Sequence, residues 1–338
     1  MGESREEGAS RRDPCACHRP VIPRATHLHP RRALQNPKES GGEPIPAFAN
    51  PASGRGAQAV EAIEADARFV LRHAGPGELG DAIRREHQRG ATRVLVSGGD
   101  GTIATAAAAA CETGIELAVL PGGTLNHFAR DHAIPTDFPE ALELAATGAV
   151  QPVDLGFVND RPFLNTSSVG AYVGFVRRRD RLERWMGYRM ASFLSGLRMV
   201  MRLHNFDVQL KVEGEVRSYR TALVFIGVDE RETRFPIFGG RVAGGRSGLH
   251  VIVVEGKALA RLMALGLDAA ARGIDAVSER AQVDSFVVEE CTIVMPRRLA
   301  YLAVDGETMR IPAPFRYRLE PGAMRVVLPP ADEERASD

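Results

Sequence analysis

Three glycine-rich loops constrain this chain more than any other feature. Each follows a short apolar run and precedes a helix-forming stretch. Asn50-Pro51-Ala52-Ser53-Gly54-Arg55-Gly56 comes after Ile45–Ala49. Gly98-Gly99-Asp100-Gly101-Thr102 comes after Arg93–Ser97, and Pro121-Gly122-Gly123-Thr124-Leu125-Asn126 after Leu117–Leu120. Helices are expected over 57–63, 78–89 and 103–111, and a further one opens near 126–131, with a possible strand at Phe69–Arg72. Short apolar strands alternating with helices make a parallel sheet covered on both faces. All three loops then fall at the carboxyl edge of that sheet, where such folds bind ligands.

The texture changes after about residue 152. Val153–Phe157, Arg161–Asn165, Phe206–Val212, Thr221–Ile226, His250–Val254, Phe286–Met295, Leu299–Val304 and Met309–Ile311 read as strands, many of them alternating or β-branched. Helices over Arg181–Leu203 and Ala258–Ala271 interrupt them. The expected organisation is a proline-rich disordered tail at 1–43, an α/β domain at 44–152, a mostly antiparallel β domain at 153–328 and a polar tail at 329–338.

Composition excludes several classes of function. Lys plus Arg is 43 and Asp plus Glu is 43, so the formal net charge is zero and a dedicated nucleic-acid binder is not expected. Four cysteines, two of them in the tail and two in apolar runs, read as reduced thiols rather than as a disulfide framework. No run approaches a membrane span, and no secretory h-region opens the chain. The protein is expected in the cytoplasm, with any contact to the inner membrane peripheral.

Backbone N–H groups in a glycine loop at a helix N-terminus form an anion site, and the helix dipole adds to it. Gly98, Gly99, Gly101 and Thr102 fit that description. Asp100 cannot bind a phosphate directly, so its place is explained either by a Mg²⁺ that neutralises phosphates or by a simple cap. Ser53, Thr124 and Asn126 are open to two readings of their own, residues of a phosphate loop or simple caps of the following helices. No Gly-Lys-[Ser/Thr] occurs, and the first strand–helix turn lacks Gly-x-Gly-x-x-Gly. Near the other end, Tyr301–Val304, Asp305-Gly306 and Glu307–Ile311 give a strong hairpin signal, which by itself explains both Asp305 and Gly306.

These residues together resemble the diacylglycerol kinase catalytic-domain family in its bacterial lipid-kinase branch, whose relatives include the sphingosine, ceramide and NAD kinases. The resemblance rests on Asn50–Gly54, Gly98–Thr102, Leu120–Arg130, Val153–Gly156 and Val304–Glu307, in family order, and covers roughly 44–328. It implies an α/β fold with an N-terminal doubly wound nucleotide-binding domain, a C-terminal β-sandwich-like domain and an active site in the cleft between them. It implies ATP- and Mg²⁺-dependent phosphorylation of a lipid alcohol such as diacylglycerol. It places the ATP phosphates on Asn50, Ser53, Gly54, Gly98, Gly99, Asp100, Gly101, Thr102, Gly122, Gly123, Thr124 and Asn126, with Asp100 on the metal. It makes Asp305 the general base; Glu307, on the same side of the extended segment as Asp305, is expected as a second acid at the cleft. A kinase of a soluble acceptor such as NAD, and a nucleotide-binding regulator without activity, remain the alternatives.

The chain departs from the family at three places. His127 stands where relatives often carry Asp, Val228 where they show Asn, and Arg246-Ser247 where an acidic loop in some bacterial members holds a structural Mg²⁺. That second metal site is expected to be absent or altered. The stretch Arg177–Leu203 combines clustered arginines with an apolar stripe. It reads either as a helix packed on the β domain or as a peripheral docking element for an anionic lipid surface.

Overall fold

The computed structural model describes residues 43–75, 77–170, 205–235, 240–242, 244–256, 258, 279–280, 283–296 and 299–330. The chain opens with β1 (Ile45–Ala49), α1 (Gly56–Glu64), β2 (Phe69–Leu71), α2 (Leu79–Gln88), β3 (Arg93–Gly98), α3 (Asp100–Thr113), β4 (Glu116–Pro121), α4 (His127–Asp131) and α5 (Phe138–Thr147). Strands β2-β1-β3-β4 run parallel in that spatial order. Alternate residues of one strand enter different cores. Val94 and Val96 pack with Phe48 and α3, whereas Leu95 packs with Ile63 and α5 on the opposite face. That is the two-sided burial expected of a doubly wound sheet. The alanines of α3 (Ala106, Ala107, Ala109 and Ala110) are buried, and Gly114 closes the helix in the left-handed conformation. Asp137 caps α5 by accepting the Glu140 N–H at 3.4 Å.

The antiparallel part comprises β5 (Ala149–Val158), β6 (Arg161–Phe163), β7 (Thr166–Gly170), β8 (Phe206–Val212), β9 (Glu215–Thr221), β10 (Leu223–Val228), β11 (Arg234–Phe235), β12 (Leu249–Val254), β13 (Glu279–Arg280), β14 (Asp284–Val288), β15 (Glu290–Val294), β16 (Leu299–Val304), β17 (Glu307–Pro312) and β18 (Phe315–Leu328). One sheet has the order β14-β12-β10-β7-β16-β17. It faces β8, β15 and the first half of β18 across a core of Val208, Leu210, Ile226, Val251, Leu302, Phe315 and Tyr317. Two facing sheets around one apolar core are a sandwich.

β18 joins the two halves. Its early residues pair antiparallel with β15, and its late residues run parallel beside β4, with Val326 opposite Leu117. β5 follows it along almost its whole length, across a bulge between Glu320 and Met324. The parallel and antiparallel lobes therefore share one continuous sheet. Residue 152, the expected boundary, falls inside β5.

The strand expected over Phe286–Met295 is two strands. The chain changes sheets at Glu289, sending β14 to β12 and β15 to β18. Strands β7, β9 and β18 and helix α5 were not anticipated. The expected helices Arg181–Leu203 and Ala258–Ala271 lie outside the described residues, save Ala258. Among the described residues no helix is long and apolar enough to cross a membrane.

Candidate active site

The three glycine loops meet at the carboxyl edge of β1, β3 and β4. Asn50 donates its backbone N–H to Ser97 O at 3.0 Å, and its side-chain amide reaches Thr102 Oγ1 at 3.4 Å. Ser53 Oγ donates back to Asn50 O at 2.8 Å. Arg55 N donates to Gly122 O at 2.9 Å, and Gly122 N to Gly98 O at 3.1 Å. Asn126 takes the left-handed φ of 49° and closes its own loop, accepting from Gly123 N and donating to Gly123 O, each at 2.9 Å.

The glycines are there because the backbones touch. A Cβ on Gly123 would stand 2.5 Å from Gly99 Cα, and one on Gly98 would stand 2.5 Å from the Thr102 side chain. At Gly54 the nearest atom would be Thr124 Oγ1, at 3.4 Å, so space alone does not require that glycine. The result is a floor built largely of main chain at the start of α3, which has no side-chain cap at its N-terminus. Orphan N–H groups of that kind suit an anion. Ser97 was missed by sequence reasoning. Its Oγ is fully buried, has no hydrogen-bond partner and lies 2.9 Å from where a Gly122 Cβ would be. Its position as the last small polar residue of β3 was the available signal.

Asp305 comes from the opposite lobe. It occupies the β16–β17 turn, with Asp305 at φ 45° and Gly306 at φ 84°, the two positive angles of a type I′ hairpin. Its carboxylate is held entirely by main chain. Oδ2 accepts from Leu164 N at 2.7 Å, and Oδ1 accepts from Asn165 N at 2.8 Å and from Thr166 N at 3.0 Å. Burial pushes its pKa above the ordinary carboxylate range. The three N–H donors pull it back, and the nearby charge of Asp100 adds to the rise. Leu164 and Asn165 lie between β6 and β7 and Thr166 opens β7, and no side-chain pattern marks the three donors in the sequence.

Glu307 opens β17 and reaches the start of α3, with Oε1 3.0 Å from where a Cβ on Gly101 would lie. Asp100 Oδ1 accepts from Phe128 N at 3.3 Å, which ties α3 to α4. Asp100, Asp305 and Glu307 thus approach one another from two lobes. Among the described residues, no three His, Cys, Asp or Glu side chains are grouped as a metal centre would need.

The three departures have distinct structural settings. His127 is exposed at the start of α4. Val228 is buried in β10, and its carbonyl accepts from Arg231 Nε at 2.8 Å. Ser247 donates to Asp154 Oδ2 at 2.6 Å, while Gly322 N donates to Asp154 Oδ1 at 2.8 Å.

Comparison with known proteins gives a consistent answer. Residues 44–158 match the diacylglycerol kinase catalytic domain. A diacylglycerol kinase of Mycobacterium tuberculosis is 30% identical over 183 residues, covering 50% of this chain and 59% of that protein. A Cronobacter sakazakii protein named probable lipid kinase YegS-like is 27% identical over 267 residues, covering 75% and 84%. The chain spans 31% to 59% of the length of several curated relatives. A crystal structure of a diacylglycerol kinase from Bacillus anthracis superposes with a TM-score of 0.61 at 19% identity, over 86% of this chain and 99% of that one, and shows the same fold. The match to the diacylglycerol kinase catalytic-domain family thus takes in residues 44–158, the stretch that holds all three glycine loops.

Proposed function

We propose that this chain transfers the γ-phosphoryl group of ATP to the hydroxyl of a lipid alcohol, diacylglycerol or a close analogue, giving the phosphomonoester. The observation that carries the reading is the Asp305 carboxylate, suspended on three backbone N–H groups beside the glycine floor. Phosphoryl transfer asks little covalent chemistry of a protein; it asks for in-line positioning, charge compensation and a base.

The residues present suit a nucleotide with Mg²⁺. The main-chain cradle is closely packed at Gly98, Gly122 and Gly123, and Asp100 and Glu307 offer the hard oxygens this ion takes in ones and twos alongside substrate phosphates. When bound, the ion neutralises developing phosphate charge. The protein's own part is positional and acid–base. In the three loops Gly98–Thr102, Gly122–Asn126 and Asn50–Gly54, the phosphates are received by the backbone N–H groups that the loops do not spend on themselves, since those of Asn50, Ala52, Ser53, Thr102, Gly122 and Gly123 already donate within the protein. Asp305 takes the proton of the acceptor hydroxyl as the new P–O bond forms and the bond to the ADP oxygen breaks. Oδ1 already accepts two hydrogen bonds and Oδ2 only one, so the proton goes to Oδ2. The raised pKa brings this base nearer the working pH.

The test is transfer of labelled γ-phosphate to a panel of lipid alcohols and NAD. Asp305→Asn should lower kcat by about 10³-fold, within the usual range for a general base. Undiminished labelling by the variant removes Asp305 as base. Transfer to NAD alone moves the reading to a soluble acceptor, and no transfer at all favours a regulator.

A further inference from the structure

Helix α4 has five residues, too few to stand alone, and it is held from both ends. At the front, Asn126 closes on Gly123, and Phe128 N donates to Asp100. At the rear, two guanidinium groups of the antiparallel lobe reach it. Arg231, 5% exposed, donates Nη1 to Asp131 Oδ2 at 3.0 Å. It is rooted by Nε to Val228 O at 2.8 Å and by its backbone N–H to His250 Nδ1 at 2.8 Å. Gly227 makes room for it, since a Cβ there would lie 2.4 Å from Arg231 Cγ. Arg241 pairs with Asp229 at 2.6 Å and approaches the His132 ring at 3.4 Å. That ring packs on Phe128 with centroids 4.5 Å apart.

A buried guanidinium is costly unless paired, and a buried ion pair adds little net stability over an apolar substitute. Asp131–Arg231 is therefore poorly explained as a stabiliser and well explained as a fixed geometric link. We propose that Arg231 and Arg241 form an interlobe latch: positioning residues that grip α4 from the acceptor lobe and so set Asp100 and the Gly122–Asn126 loop relative to Asp305. The inference rests on the kinase reading above. It also explains what the region around Val228 does, having left the family pattern. The carbonyl of Val228 anchors the arginine.

The test compares wild type with Arg231→Gln, Asp131→Asn, the double variant, Arg231→Lys and the exchange Asp131→Arg/Arg231→Asp, all in the full chain. The latch predicts a 10- to 100-fold loss of kcat in each neutral single variant, with acceptor KM within twofold. The double variant should lose no more than either single one. Arg231→Lys should keep about a third of the activity, and Mg–ADP should bind 3- to 10-fold more weakly when Arg231 is Gln. Faster amide exchange at Phe128–Asp131 in the folded variants should accompany the loss.

Additive losses in the double variant, or kcat within twofold of wild type, overturn the latch. Should the neutral single variants not fold, Arg231→Lys and the double variant, which bury no unpaired charge, decide the matter. Should wild type phosphorylate no acceptor, the kinase reading fails by itself. Mg–ADP affinity then decides the latch, and equal affinity for wild type and Arg231→Gln overturns it.

Discussion

The two sides of the cleft are built on opposite plans. On the nucleotide side the protein removes side chains and offers its main chain: Gly98, Gly99, Gly122 and Gly123 lie backbone to backbone. On the acceptor side the main chain is spent on one side chain, because Leu164, Asn165 and Thr166 all point their N–H groups at Asp305. On the function proposed above, a diffuse anion with many oxygens would be met by many weak donors, and a single proton by one carboxylate held still. The first plan tolerates change of residue type but not of size. The second tolerates change around Asp305 but not of Asp305 itself.

The largest effect expected from this contrast is therefore at Asp305. Beyond its roughly 10³-fold effect on kcat, Asp305→Asn keeps the volume but turns one oxygen into an NH₂ that faces backbone donors. An amide placed with its oxygen toward Asn165 and Thr166 leaves Leu164 N unpartnered, at about 1–3 kcal/mol. The pH dependence sharpens the point. Because burial raises the folded-state pKa of Asp305, the folded protein binds this proton more tightly than the unfolded chain. The group's contribution to stability therefore falls as pH rises from the ordinary Asp value through the raised one. Over the same window kcat/KM should rise, as the base loses its proton. A pH–rate profile with its acid limb at the ordinary Asp value would break this account.

Next in size is steric substitution on the nucleotide side. Gly123→Ala would place its Cβ 2.5 Å from Gly99 Cα, whereas Gly99→Ala meets only Gly123 Cα at 3.6 Å. Overpacking of the first kind costs about 1–3 kcal/mol, and it should raise the KM for ATP at least 10-fold. Gly99→Ala should stay within about threefold. Equal effects from the two would show that the loops do not fit as tightly as their contacts indicate. Urea unfolding with parallel ATP titrations measures both.

A smaller effect separates the seam from both sides. Burial, with Arg241 and Arg231 nearby, pulls the His132 pKa down to about 3. The unfolded chain takes up this proton near pH 6.5, while the folded protein refuses it until about 3. His132 should therefore cost stability as the pH falls from about 6.5, by about 2 kcal/mol at pH 5. His132→Gln should flatten that part of the stability curve. Unchanged curvature in the variant would mean that the imidazole is not sealed between the arginines.

What was legible beforehand divides along the same line. The glycine loops were readable because both their chemistry and their spacing are local: strand, loop and helix follow within a dozen residues. Asp305 was readable as a turn, which the β16–β17 hairpin bears out; the role of base comes from family resemblance and is part of the proposed function. The cradle of Asp305 was not readable, because Leu164–Thr166 contribute only N–H groups, which every residue but proline has. β18 escaped because Pro321-Gly322 breaks its alternation at the bulge. The split of β14 from β15 escaped because Phe286–Val288 and Cys291–Val294 read as one run, although the two consecutive carboxylates Glu289-Glu290 mark the place where the chain changes sheets. The arginine latch pairs positions 100 residues apart, and nothing local marks them as partners.

The smallest expected effect probes two hydroxyls that share one condition on opposite sides. Ser97 Oγ and Ser168 Oγ are buried without hydrogen-bond partners, Ser97 under the glycine floor and Ser168 two residues beyond Thr166 on β7. Removing an unpartnered buried hydroxyl forfeits no bond and relieves its desolvation, so each Ser→Ala change should be neutral or stabilising by up to about 1 kcal/mol. The two should nonetheless differ in function. Ser97 lies within 2.9 Å of the position where a Gly122 Cβ would stand, so Ser97→Ala loosens the floor and should raise the KM for ATP two- to threefold. Ser168→Ala should leave that KM unchanged. Thermal unfolding and ATP titration of the two variants check this, and a loss of more than 1 kcal/mol in either would reveal a partner for that hydroxyl and undo the symmetry.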